Sequence, residues 1–143
     1  MWRYIRVESG GDMKQIDVAV AVMLSDDGKV LTSWRQPHQH QGGLWEFPGG
    51  KREPEESRLD ALRREIYEEL GVTIEQAEPF IRIEHDYGDK QVCLDVWLVF
   101  QFRGQPTGKE GQALRWQAVS ELQTESFPAA NRAIIEKLRQ SGF

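Results

Sequence analysis

Along the first third of the chain, apolar positions fall in short β-branched runs broken by turn signals. Gln15 to Leu24 (QIDVAVAVML) is the first run, and Asp26-Asp27-Gly28 leads into Lys29 to Trp34 (KVLTSW), so the two segments predict strands joined as a hairpin. Arg35 to Gly43 (RQPHQHQGG) is a polar loop, Leu44 to Phe47 resumes a short strand, and Pro48-Gly49-Gly50 breaks it sharply. The period then changes. From Ser57 to Leu70 the apolar residues Leu59, Leu62, Ile66 and Leu70 recur at steps of three and four, and Gly71 stands where a helix stops, which predicts an amphipathic helix of about four turns. Glu78 to His85 and Gln91 to Phe102 return to strand patterning, the second too apolar for an exposed edge, and Leu114 to Val119 is a shorter strand. Ala129 to Arg139 is a second helix with Ile134, Ile135 and Leu138 as its inward stripe. The expected class is α/β (α+β): a mixed β-sheet flanked by two helices.

Composition narrows the setting. A chain of 143 residues with 39% hydrophobic and 29% charged residues suits a single domain over 1–143. No run approaches the roughly 20 apolar residues that span a bilayer, so a membrane partner is not expected. Met1 to Asp12 lacks the basic flank and apolar run of a secretory signal, making the cytoplasm the expected location. Cys93 is the single cysteine and lies in an apolar run, where a buried structural thiol is the expectation. A net charge of −5 disfavours stable nucleic-acid binding but allows a small polyphosphate to bind through bridging cations. Monomer and homodimer both fit.

The candidate chemistry sits on the first helix. From Gly50 the chain runs five residues to Glu56, seven more to Arg64-Glu65-Ile66, then one to Glu68-Glu69 and one to Gly71-Val72. At 100° per residue Glu65, Glu68 and Glu69 fall within an arc of about 100°, beside the apolar stripe. Like charges at that spacing cost a bare helix about 0.2 to 0.5 kcal/mol per pair, so a cation is wanted there. Hard oxygen donors suit Mg²⁺, with Mn²⁺ as a substitute. Glutamates on an exposed helix face are usually only a solvated surface. Arg64 is expected to hold a carboxylate in place through charge-assisted hydrogen bonds. Glu56 is either a first-turn acid favoured by the helix dipole or a group near the metals, and the pattern leaves both open. Pro48-Gly49-Gly50 is either a plain strand-to-helix turn or a place where a backbone carbonyl approaches metal or phosphate.

These fixed positions fill every place of the Nudix box, a match expected by chance about once in ten million for a chain this long. That completeness reverses the solvated-surface reading. The resemblance extends to the MutT-type 8-oxo-dGTP diphosphatases from about Met13 onward. Leu44 to Lys51 (LWEFPGGK) resembles that family's approach to the box, Gly108 to Gln112 (GKEGQ) its later acidic loop, and Phe127 to Asn131 (FPAAN) its FPPAN segment. The resemblance implies a Nudix α/β/α sandwich. It also implies metal ligation by Glu65, Glu68, Glu69 and Glu110 with a backbone carbonyl from Gly49 or Gly50. Glu65 would help activate the attacking water, and attack at the β-phosphorus would release a monophosphate and pyrophosphate.

By the same resemblance Arg35, Phe47, Tyr87, Lys90 and Asn131 would line the pocket of a nucleotide substrate, with Tyr87 standing where the family has phenylalanine. Asn131 carries both donor and acceptor and can address a purine edge. The residues alone also allow Phe47 and Tyr87 as core aromatics, Asn131 as a helix cap and Arg35 as a surface charge. The loop Gln36 to Gln41 departs from the family, and His38 and His40 read as part of a solvated or substrate-covering loop rather than a metal pair. Residues 1–12 extend beyond the family pattern, either as an added strand or as residues ahead of a native start at Met13.

Overall fold

The structure is a computed structural model, and it describes residues 14–37 and 42–143. The expectations for residues 1–12, Met13 and the His38/His40 pair lie outside the described residues.

Among the described residues, seven strands and two α-helices account for the sequence patterns. The strands are β1 (Lys14–Met23), β2 (Lys29–Trp34), β3 (Trp45–Glu46), β4 (Gly49–Lys51), β5 (Thr73–Asp86), β6 (Lys90–Arg103) and β7 (Leu114–Ala118); the helices are α1 (Arg58–Leu70) and α2 (Ala129–Gln140). They build two sheets: a four-stranded sheet in the order β4-β1-β6-β5 and a three-stranded one in the order β3-β2-β7. The first is mixed, with β1 parallel to β6 and antiparallel to β4. Strand β6 is interior, as its unbroken apolar run predicts.

The expected β1–β2 hairpin is corrected. The chain does turn at Asp26-Asp27-Gly28, and Leu24 forms an isolated antiparallel bridge to Val30, but the two strands then part into different sheets. Both are buried: Val30 and Leu31 point into different clusters and neither is exposed, so β2 has core to fill on both sides. The expected start of β5 at Glu78 is also late. Pairing with β6 begins at Thr73, through register shifts between Ile74 and Ala77 that hide the alternation. Pro79 sits on this strand without breaking it because β5 is an edge.

The mixed sheet carries a helix on each face, which makes the α/β/α sandwich. On one face Val20, Val22, Val96 and Leu98 pack with Ile134, Ile135 and Leu138 of α2. On the other Ala19, Ala21, Trp97 and Val99 pack with Leu62, Ile66 and Leu70 of α1. The small side chains Ala19 and Ala21 let α1 approach β1. Cys93 is buried and free, and burial raises its thiol above the ordinary range, fitting a structural role. No helix among the described residues is long and apolar enough to cross a membrane.

Candidate active site

Helix α1 has firm ends, and the ends matter because the acidic residues sit close to one of them. Ser57 caps the N-terminus, its side chain accepting the Asp60 N–H at 3.1 Å. Gly71 closes the C-terminus in the left-handed region at φ 74°, its N–H donating to the Tyr67 carbonyl. No basic residue lies in the last turn, so nothing within that turn offsets the negative end of the helix dipole beside Glu68 and Glu69.

Gly49 and Gly50 do not form the sharp break that their composition suggests. They lie in β4, paired to β1 at Val20 and Ala19, and neither has a positive φ. What both require is close approach. A Cβ on Gly49 would lie 1.9 Å from the Ala19 carbonyl oxygen, and one on Gly50 would lie 2.1 Å from a Glu65 carboxylate oxygen. The Gly49 backbone N–H faces Glu69 closely enough to pull its carboxyl down slightly. The backbone of β4 thus runs directly against the carboxylates of α1.

Arg64 gathers three of the acidic side chains. It holds Glu56 with two bonds, from Nε at 2.5 Å and from Nη2 at 2.8 Å. Its Nη1 donates to Glu65 at 3.0 Å and to Glu68 at 3.1 Å, while Nη2 also reaches the Lys51 carbonyl. Glu56 lies just before the N-cap, and its pairing to Arg64 pulls its carboxyl down to about 2. The opposite happens at Glu69. Burial, and then the charges of Glu46, Glu65 and Glu110, push its carboxyl up to about 9. Glu65 is raised too, mainly by burial, against the pull of Arg64. Glu68 is the exposed member, its side chain 57% accessible. Among the described residues no three of these carboxylates converge into a ready-made metal cage. Buried like charges that raise one another's proton affinity are nonetheless the electrostatic condition that a divalent cation relieves. The donors are all hard oxygens.

Beside this acidic face lies a pocket of about 200 Å³, and it brings together Arg35, Phe47, Tyr87, Lys90 and Asn131 from four separate stretches of chain, Tyr87 and Lys90 sharing the β5–β6 turn. Gly49, Gly50 and Lys51 line it as well, so β4 forms the shared wall between pocket and carboxylates. Its floor is the aliphatic sheet face of Val18, Val20, Val92 and Leu94. Phe47 is both pocket and core: it is 3% exposed and stacks on Phe127 with ring centroids 5.7 Å apart. Tyr87 leans on His85, and its hydroxyl oxygen accepts the Ala130 N–H at 3.3 Å, which fastens the β5–β6 turn to the start of α2. Asn131 is not the helix cap, since Pro128 occupies that position. It is buried, and its Oδ1 accepts the Phe47 N–H at 3.1 Å. That bond fixes the orientation of the amide, because an –NH₂ group cannot face an N–H. Arg35 is half-buried and pairs with Glu46 at 2.8 Å.

Glu46 is the site residue that the pattern reading missed. It lines the pocket, and its charge is felt at Glu69. Burial raises its own carboxyl. The available signal was its place inside the LWEFPGGK segment, one residue from Phe47. Glu110 lies apart from α1 in sequence but in a loop whose backbone reaches the helix end, the Lys109 N–H donating to the Glu69 carbonyl at 2.9 Å.

Comparison with known proteins identifies the family. The family model of the NUDIX domain matches residues 19–137. The chain is similar to an 8-oxo-dGTP diphosphatase of Escherichia coli, with 34% identity over 90% of this chain and 99% of the relative. It is also similar to a CTP pyrophosphohydrolase of Escherichia coli, with 41% identity over 87% of this chain and 91% of the relative. A solved MutT structure, from work on the Aliivibrio salmonicida and Vibrio cholerae proteins, superposes with a TM-score of 0.77 at 33% identity, covering 90% of this chain and 99% of its own.

Proposed function

Since the chain belongs to the Nudix hydrolase family, a group that works with a divalent metal, we propose that it is a Mg²⁺-dependent nucleoside triphosphate diphosphatase acting on 8-oxo-dGTP. The products are 8-oxo-dGMP and pyrophosphate, and Mn²⁺ substitutes for Mg²⁺. On this reading one domain does the work in the cytoplasm, as a monomer or a homodimer, without stable nucleic-acid or membrane binding.

Glu65, Glu68, Glu69 and Glu110, with a carbonyl of Gly49 or Gly50, are the residues that would hold the metal. A bound Mg²⁺ supplies neutralisation of the phosphate charge that otherwise repels a water nucleophile. The chain's own groups do the rest. Glu65 lies against β4 with one carboxylate oxygen bonded to Arg64, leaving the other to take a proton from the attacking water. Arg64 keeps Glu65 and Glu68 from splaying apart, and Glu56 keeps Arg64 from turning away. Lys90 and Lys51 line the pocket and offer positive charge to phosphate oxygens.

The preference for an oxidised base rests on the 34% identical 8-oxo-dGTP diphosphatase; the observation that carries the choice of a guanine-type base is the buried Asn131. With Oδ1 engaged by the Phe47 N–H, its amide hydrogens are what it offers to a ligand in the pocket. A base that presents a carbonyl there satisfies them, whereas an exocyclic amine sets donor against donor and leaves a buried group unpaired. Guanine and 8-oxoguanine carry that carbonyl at C6. A second reading rests on the 41% identical CTP pyrophosphohydrolase. Cytosine presents an amine at C4 and a carbonyl at C2, so it must enter the pocket by its other edge.

A competition panel of 8-oxo-dGTP, dGTP, CTP and a sugar nucleotide, compared by kcat/KM, tests the substrate. The 8-oxo-dGTP value should exceed the others by about 100-fold or more; a higher value for CTP would transfer the assignment to the second reading. Glu65→Gln and Glu69→Gln should each lower turnover by several orders of magnitude with the fold retained. Near wild-type turnover in both would remove the metal-site assignment.

A further inference from the structure

We propose that Gln112 is a positioning residue whose side-chain amide sets Glu110 against Glu69, the two carboxylate residues that reach the metal site from different elements. The inference rests on the assignment of both as metal ligands in the reading above.

The last carbonyls of α1 have no partners within the helix. The loop before β7 supplies them: the Thr107 N–H donates to the Leu70 carbonyl at 3.0 Å and the Lys109 N–H to the Glu69 carbonyl at 2.9 Å. Gln112 adds a side chain to this arrangement. Its Nε2 donates to the same Glu69 carbonyl at 3.2 Å, and its Oε1 accepts the Glu110 N–H at 2.9 Å. One planar amide therefore touches the backbone of Glu69 and of Glu110 at once. Its orientation is settled by chemistry, since only nitrogen can donate to the carbonyl and only oxygen can accept from the N–H.

Glu110 needs such a tether. It is exposed, so packing contributes little to fixing it, yet its charge is felt at Glu46, Glu65 and Glu69. The turn that carries it is closed by the Gly111 N–H to the Gly108 carbonyl. The loop also fits tightly where Gln112 returns past it. A Cβ on Gly108 would lie 2.0 Å from the Gln112 carbonyl oxygen and 3.1 Å from its Oε1. Glycine at 108 thus leaves room for the bridge. Removing the bridge leaves the backbone bonds of Thr107 and Lys109 in place, and it releases the part of the loop that bears the carboxylate.

The test is Mn²⁺ titration of the full chain, read as free Mn²⁺ by electron paramagnetic resonance, for the wild type and for Gln112→Leu, Gln112→Asn and Glu110→Gln. Leucine removes both hydrogen bonds; asparagine keeps the amide but is one methylene too short to span both partners. Both should weaken Mn²⁺ binding by about tenfold, the scale for losing a group that orients a ligand. Both should speed hydrogen exchange at the Glu110 amide and move Tm by less than about 5 °C. The double variant Glu110→Gln with Gln112→Leu should bind Mn²⁺ about as Glu110→Gln alone, because the two changes act through one carboxylate. Wild-type affinity in both Gln112 variants, with Glu110→Gln weakened, overturns the positioning role and leaves the metal site standing. Wild-type affinity in Glu110→Gln overturns the metal assignment of Glu110 itself, and the role of Gln112 with it.

Discussion

At Glu69 the surroundings act against the charge that its proposed role as a metal ligand requires. Burial and the neighbouring carboxylates raise its carboxyl from 4.5 to about 9 in the absence of a cation. Between those two values the folded protein keeps a proton that the unfolded chain has lost, so stability falls as pH rises through the window. Metal-free protein should therefore unfold more easily at about pH 8.5 than at about pH 6, and Glu69→Gln should flatten that slope; an unchanged slope in the variant would place the pH dependence elsewhere. Because a cation must displace this proton, metal binding near neutral pH should release protons, measurable by calorimetry in buffers of different ionisation enthalpy. Glu56 works with the opposite sign. Its carboxyl, held at about 2 by Arg64, contributes stability above 4.5 that is lost as pH falls toward 2. The identity and spacing of these glutamates were legible in the chain. Which of them would be buried was not, because burial depends on β4 lying across α1.

Among the elements, β4 ties the site together, and its two glycines answer to different neighbours. A side chain on Gly49 meets the backbone of β1, which cannot yield without breaking the sheet; one on Gly50 meets the end of a Glu65 side chain, which can swing away. Gly49→Ala should thus cost stability, by about 1 to 3 kcal/mol on the scale of overpacked sites. Gly50→Ala should spare most of the stability and lower turnover by about 100-fold through a displaced carboxylate. Denaturant unfolding together with turnover of each variant separates the two effects, and equal behaviour of the pair would show that the glycines share one role. Helix α1 was legible because a 3.6-residue period and a terminal glycine agree. Strand β4 was hidden because Gly49-Gly50-Lys51 has no side-chain alternation to read, and glycine pairs ordinarily mark turns.

Over the whole molecule, pocket and acidic face are two surfaces of one wall, and metal and nucleotide should depend on each other. Chelation with EDTA should abolish hydrolysis and leave the far-ultraviolet circular dichroism of the folded chain unchanged, since two helices and two sheets hold the core without the cation. Mg²⁺ should restore the activity. Loss of secondary structure on chelation would instead mean that the metal is part of the fold.

The chain alone determined the local elements and the acidic helix, because periodicity, caps and motif spacing are properties of neighbouring residues. It also pointed by resemblance to Arg35, Phe47, Tyr87, Lys90 and Asn131 as a set. Only the tertiary structure decided how they meet. The Phe47 N–H and the Asn131 oxygen are 84 residues apart, and the parallel pairing of β1 with β6 sets Lys14 beside Lys90 although β2 to β5 and α1 lie between them in the chain. No local window encodes such a register, since it is chosen by the burial of both faces of β1 at once. The parting of β1 from β2 and the alignment of β4 with β1 follow from that same choice, while Glu46 is set beside Arg35 by the pairing of β2 with β3.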